Sequence, residues 1–348
     1  MSIYSLAIIG FGGMGSQHGE LLKKVDRIKV EGIYDIDNKR KDYATENNFK
    51  SYESFEDVLN DKNVNIVLIA TPNHVHKEIA IRAMEAGKNV ICEKPVTLNS
   101  KELEEILEVS KKTGKLFVVH QNRRWDEDFL TMKKIYDEKL LGETFRIETR
   151  VQGSRGIPGD WRKEKQFGGG MMLDWGVHLI DRLLVMVNEK IKKVYCSMSY
   201  ILGADCDDGF TLNLAFESGK TAVVEVGTSN FIALPKWYIA GTEGAAIIED
   251  WEMNGRLEVM PKKDEADAKP IVAGAGLTKT MAPRLEGEVL VKELPIVKST
   301  ILDFYNNVID VLEDKATPAI KNSEVMRVMK LIEAAFESHE NGTVVYFE

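Results

Sequence analysis

Residues 3–15, IYSLAIIGFGGMG, carry an apolar run straight into Gly10-Phe11-Gly12-Gly13-Met14-Gly15. Twenty residues after Gly15, a second apolar run (IKVEGIYD) ends at Asp35. A buried strand, a G-x-G-x-x-G turn, a helix-like stretch and a delayed acid constrain the fold more than any other feature of this chain. Together they form the fingerprint of a dinucleotide-binding βαβ unit. Gly10 permits the tight exit from the strand, Gly12 lets backbone approach a pyrophosphate, and Gly15 lets the next helix pack close to the sheet. The helix N-terminus offers free N–H groups to phosphate. Asp35 is placed to accept hydrogen bonds from the two hydroxyls of an adenosine ribose. A bare glycine turn would be weak support; the flanking strand and helix patterns strengthen it.

The first ~120 residues continue the alternation. Strand-like runs LAIIG, KVEGIYD, VNIVLIAT, NVICEK and LFVVHQ are separated by helix-like stretches at 16–24, 38–47, 54–60, 74–87 and 100–113. Several strand runs are apolar on successive residues, as expected when helices cover both sheet faces. This predicts a doubly wound parallel sheet, with Gly87 and Gly114 ending helices and Ser100 starting one. Beyond residue 122 the pattern becomes α+β. Helices are expected at 126–140, 171–187, 297–314 and 322–340, with a large, mainly antiparallel open sheet and an irregular stretch over 262–298. The expected domains are 1–121 for the dinucleotide and 122–348 for substrate binding and oligomerisation.

Composition excludes several classes. The chain has 348 residues, 44% hydrophobic and 29% charged, with net charge −9. Without a dense basic stretch, nucleic acid is not an expected partner. No apolar run reaches the ~20 residues of a membrane helix. With a first strand starting by Ile3, no signal peptide is expected. Cys92, Cys196 and Cys206 are widely spaced and read as reduced thiols of a cytoplasmic protein. No metal site is expected.

Chemistry is expected where strands end. In a doubly wound sheet, ligands lie beyond the carboxyl ends of the strands. Thr71-Pro72-Asn73 follows one strand and borders that crevice, although it also reads as a turn and helix cap. His74 and His76, two residues apart, do not share a helix face, so capping or cofactor contact suits them better than a metal. Glu93-Lys94-Pro95 ends the next strand, and Lys94 points to where a nicotinamide would lie. Its ammonium could bind a substrate hydroxyl and stabilise oxyanion character. Asp174 and His178, at i and i+4 on a helix among apolar residues, read as a carboxylate beside an imidazole, suited to proton transfer. A surface ion pair or a satisfied core histidine is the plainer alternative.

GFGGMG at 10–15, Asp35, TPNHVH at 71–76, EKP at 93–95, QNRRW at 121–125 and GGGMMLDWGVHLID at 168–181 together resemble the glucose–fructose oxidoreductase/inositol dehydrogenase/MocA family. The resemblance implies hydride transfer between NAD(P) and a sugar, cyclic polyol or similar secondary alcohol. It implies that Lys94 binds substrate and assists proton movement, that Asp174 binds a substrate hydroxyl, and that His178 is the general acid/base. It implies cofactor contacts from Gly10, Gly12, Gly13, Met14, Gly15, Asp35, Thr71, Asn73, His76, Glu93, Lys94 and Arg123, with Arg124 an alternative to Arg123. The stretch QNRRWDEDFLTMKK is similar to scyllo-inositol dehydrogenases, which often use NADP. Asp35 would repel a 2′-phosphate and favours NAD, while Lys39 and Arg40 leave NADP possible. Loop 153–167 is expected at the substrate end. Subunit contacts through the C-terminal sheet would make a homodimer or homotetramer. Two other readings are a non-catalytic NAD-binding sensor, which would usually lack the lysine or the histidine, and a glycosidase or epimerase using transient oxidation.

Overall fold

The computed structural model describes residues 3–260, 271–273, 277–279 and 289–347. The first five strands are β1 (Tyr4–Ile9), β2 (Ile28–Tyr34), β3 (Ile66–Ile69), β4 (Asn89–Cys92) and β5 (Phe117–Val119). All pair in parallel, in the order β2-β1-β3-β4-β5. Leu6–Ile9 and Ile66–Ile69 are buried on every residue, as a sheet covered on both faces requires. The order reverses beside β1, so the glycine turn leaves the sheet at its switch point.

Five helices flank this sheet: α1 (Gly13–Leu22), α2 (Asn38–Glu46), α3 (Phe55–Asn60), α4 (His76–Glu85) and α5 (Ser100–Thr113). Helix α1 starts within the glycine turn, three residues earlier than expected. A short 3-10 turn, Asn73–Val75, precedes α4. Asn99, rather than Ser100, caps α5: its side chain accepts from the Glu102 N–H at 2.9 Å. Ser100 is instead held by Glu333, near the other end of the chain.

After α6 (Glu127–Asp137) comes a second sheet. Its strands are β6 (Thr144–Gln152), β7 (Ile191–Ser199), β8 (Gly209–Phe216), β9 (Thr221–Gly227), β10 (Trp237–Gly241), β11 (Gly244–Ile248) and β12 (Gly255–Val259). Within the expected irregular stretch, β13 (Ile271–Ala273) and β14 (Leu277–Lys279) form a separate two-stranded ribbon; most of the rest of that stretch lies outside the described residues. β15 (Leu290–Lys292) and β16 (Val345–Tyr346) close the two edges of a nine-stranded sheet, in which only β6 and β9 pair in parallel. Alternation along β7–β9 buries one face and leaves Tyr195 and other residues on the outer face in solvent.

Helix α7 (Val177–Met186), α8 (Leu302–Leu312) and α9 (Asn322–Asn341) complete the fold; α8 is shorter than expected. Residue 121 separates the two sheets but not the two cores. Phe304 and Tyr305 of α8 and Val325 and Met329 of α9 join the core of the first sheet. Val328, Leu331 and Ile332 of the same α9 join the core of the second. No helix of the described residues is long and apolar enough to cross a membrane. Cys92, Cys196 and Cys206 are free and buried.

Candidate active site

The glycine turn is shaped by backbone contacts. A Cβ on Gly15 would lie 1.9 Å from the Gly10 carbonyl oxygen, and Gly10 itself has φ +88°. Nothing lies within 4 Å of a Cβ at Gly12 or Gly13, so this side of the turn is open. No side chain caps α1, which leaves its first N–H groups for a ligand. The Asp35 carboxylate accepts the Phe11 N–H at 2.6 Å and the Asp37 N–H at 2.8 Å. The acid therefore also pins the glycine turn to the end of β2. Lys39 and Arg40 are exposed on α2.

The far end of the crevice is assembled from both sheets. The segment Gly168–Gly170 bends with positive φ at Gly168 and Gly170. A π turn over Met172–Gly176 follows, and α7 begins only at Val177. Asp207 holds this turn through the Met172 N–H at 2.7 Å. Asp174 lies in this π turn and His178 in the first turn of α7. Asp174 pairs with Lys94, whose Nζ donates to the Asp174 backbone oxygen at 2.9 Å and to Oδ1 at 3.2 Å. Arg162 lies on the other oxygen at 3.5 Å. Burial alone would push the Asp174 carboxyl up; the Lys94 and Arg162 charges overcome that and hold it below the ordinary carboxylate range.

His178 is buried, and its Nδ1 has no hydrogen-bond partner among the described residues. Burial, then the positive charges of Lys94, Arg123 and Arg182, keep the imidazole neutral well below its usual range. Beside it, Trp175 packs on the His178 ring and Arg123 stacks over Trp175 at 4.7 Å. Arg123 also donates to Asp126 at 3.1 Å. Gln152, Ser154, Arg155, Asp174, Trp175 and Thr228 line a cleft of about 490 Å³, within the range of small-molecule sites. Loop 153–167 thus supplies one wall of the cleft, and its Arg162 is a site residue that spacing gave no reason to single out.

Several expected cofactor residues have other partners. Asn73 is buried and donates to the Gly168 oxygen at 2.9 Å, tying the turn after β3 to the second half. His76 is fully enclosed, with Nε2 at 2.9 Å from the Thr71 oxygen and Nδ1 at 3.1 Å from the Pro95 oxygen. It clamps two crevice turns and presents neither nitrogen to the opening. The Glu93 carboxylate is taken by His18 and His120. Arg124 is buried against Asp181 and Glu324, so it braces helices instead of reaching the crevice. His18 and His120 were missed by sequence reasoning. His120 at the carboxyl end of β5 stood where ligands gather, and His18 lies one turn after Gly15.

NAD fits this frame. The open glycine turn and the uncapped α1 suit its pyrophosphate, and Asp35 suits a ribose. The buried Thr71 Oγ1 and His178 Nδ1 remain without partners among the described residues. Residues 4–121 match the family model described as oxidoreductase family, NAD-binding Rossmann fold, and residues 129–247 match the GFO/IDH/MocA C-terminal domain. The chain belongs to the GFO/IDH/MocA family. It is an NAD-binding oxidoreductase. Among solved structures, the NAD-binding protein from Listeria innocua is 49% identical, covering 99% of this chain and 100% of that one, with TM-score 0.95. The uncharacterized oxidoreductase YdgJ of Escherichia coli is 30% identical, over 81% of this chain and 80% of its own. The scyllo-inositol 2-dehydrogenase (NADP(+)) IolW of Bacillus subtilis is 27% identical over 99% of this chain and 96% of its own.

Proposed function

We propose that this family member interconverts a secondary alcohol and its ketone on a sugar or an inositol-like cyclic polyol. The observation that carries the reading is the meeting of Lys94 with Asp174 beside His178. Lys94 follows a strand of the first sheet, whereas Asp174 and His178 belong to the π turn and α7 of the second half, and Asp174 lines the cleft. NAD, when bound, supplies the hydride acceptor. Lys94 binds the reacting oxygen and steadies its developing negative charge. Asp174 accepts a hydrogen bond from a neighbouring hydroxyl and orients the ring. His178, neutral in its buried setting, takes the hydroxyl proton on oxidation and returns it on reduction. Trp175 gives the cleft an apolar wall suited to the C–H face of a ring.

Gly10, Gly12, Gly13, Met14, Gly15, Asp35 and Thr71 are the proposed cofactor contacts, with Arg123 reaching the same end of the crevice. Asp35 favours NAD over NADP, against the NADP(+) named for IolW. Residues 122–348 are proposed to bind substrate and to associate through the outer face of the nine-stranded sheet, where Arg146, Lys193, Tyr195 and Asn213 line a shallow depression. A cytoplasmic location suits this reading. The test is a screen of sugars, inositols and their keto forms, following nicotinamide absorbance with NAD and with NADP. Turnover of one such compound, lost in Lys94→Met with NAD binding retained, is the expected result. Activity only on unrelated alcohols, or full turnover in Lys94→Met, overturns the reading.

A further inference from the structure

Beneath the crevice, away from the substrate cleft, four polar side chains meet in the core of the first sheet. His18, Glu93, His120 and Tyr305 are each at most 4% exposed. Glu93 Oε1 accepts from His18 Nε2 and from His120 Nδ1, both at 2.7 Å. His18 Nδ1 is then left to accept the Tyr305 hydroxyl at 2.6 Å. The other carboxylate oxygen accepts the backbone N–H of Lys94 at 3.1 Å. Burying a carboxylate this deeply costs several kcal/mol unless donors surround it. Here donors arrive from α1, from the end of β5 and from Lys94 itself. Burial would raise the Glu93 carboxyl, but the two imidazoles hold it well below the ordinary range. The same three side chains could in principle ligate an ion. Their nitrogen and oxygen atoms stand at hydrogen-bond distance, however, closer than ligands around an ion at ~2.0–2.1 Å.

The chain of contacts ends on the lysine that the proposed function makes central. Its tip is tied to Asp174 of the second half; its backbone is tied to Glu93. We propose that Glu93, His18 and His120 are positioning residues for Lys94: the imidazoles fix the carboxylate, and the carboxylate fixes the lysine's backbone at the crevice. The consequence for turnover rests on the reading of Lys94 given above; the positioning itself does not.

The test uses the NAD-loaded protein and reads the rate at which trinitrobenzenesulfonate labels Lys94, by peptide mass spectrometry. Glu93→Gln is isosteric but brings an N–H where an acceptor is needed. His120→Leu and His18→Leu remove donors. His120→Asn and His18→Gln restore a donor near Nδ1 and Nε2 respectively. We expect labelling to rise at least threefold in Glu93→Gln and in the leucine variants, as the ammonium leaves Asp174, and to return to the parent rate in His120→Asn and His18→Gln. Turnover of the best compound from the screen should fall at least tenfold in the first group, with NADH affinity changed less than threefold. Parent-like labelling in Glu93→Gln overturns the proposal. So does equal labelling in the asparagine and leucine variants, which would mark simple packing. Normal turnover with altered labelling counts instead against Lys94 as the reacting lysine. If a leucine variant fails to fold, Glu93→Gln still decides.

Discussion

The glycine turn at 10–15 and the Lys94–Asp174 pair sit at two ends of one crevice and are built differently. The turn is held within one sheet: Gly15 against Gly10, and Asp35 reaching from β2 to the Phe11 N–H. The pair spans eighty positions of sequence and two sheets, and depends on a π turn that Asp207 holds from yet another segment. Cofactor binding can therefore be damaged locally, whereas the reacting end can be damaged from many places.

The comparison can be broken most sharply at the turn. Gly15→Ala should cost about 3 kcal/mol or more, because backbone must move to admit the Cβ, and should be seen as a lowered melting temperature. Gly12→Ala meets open space; its melting temperature should stay near the parent's while NAD affinity drops. Equal melting losses in both would mean that the turn is not backbone-limited.

At the reacting end, Asp207 gives the next largest effect. Burial, only partly offset by the Met171 and Met172 N–H groups, pushes its carboxyl up to about 6. The folded state then holds a proton that the unfolded chain releases near pH 3.8. The resulting stability is present below that pH and is lost as pH rises through about 6, a difference of roughly 2–3 kcal/mol. Asp207→Asn should flatten this part of a stability–pH curve, measured by urea unfolding between pH 4 and 7. An unchanged curve would assign the slope to other groups.

His178 offers a smaller, kinetic contrast. Its imidazole stays neutral below the usual histidine range, so kcat/KM for alcohol oxidation should not lose its base between pH 7.5 and 6.5. A fall centred near 6.5 would show an ordinary, solvated histidine. Smallest is Asp35→Ser, which should raise the NADP-to-NAD ratio of kcat/KM by about tenfold while weakening both cofactors, since the carboxylate also pins the turn. An unchanged ratio would remove Asp35 from cofactor choice.

Most of the dinucleotide half was legible because its signals are local. Successive apolar residues reported two covered faces, and Gly10, Gly15 and Asp35 have backbone reasons to stand where they do. Lys94 was legible for the same reason: a strand end fixes where it points. The helix expected over 171–187 opens instead as a π turn held by Asp207, which periodicity cannot register. His76 and Arg124 looked like site residues by address, but a buried carbonyl pair and a buried carboxylate claim them. The Glu93 cluster needed Tyr305, which only the fold brings near.

Helix α9 carries a consequence for how this protein is made. Val325 and Met329 enter one core and Leu331 and Ile332 the other. The segment is synthesised after every strand of the five-stranded sheet and nearly all of the nine-stranded one. Neither half can seal its core on the ribosome until these residues emerge. Late nascent chains should thus expose apolar surface on both halves at once, and a stop codon before residue 322 should strand both sheets together, including the one whose last strand ended two hundred residues earlier.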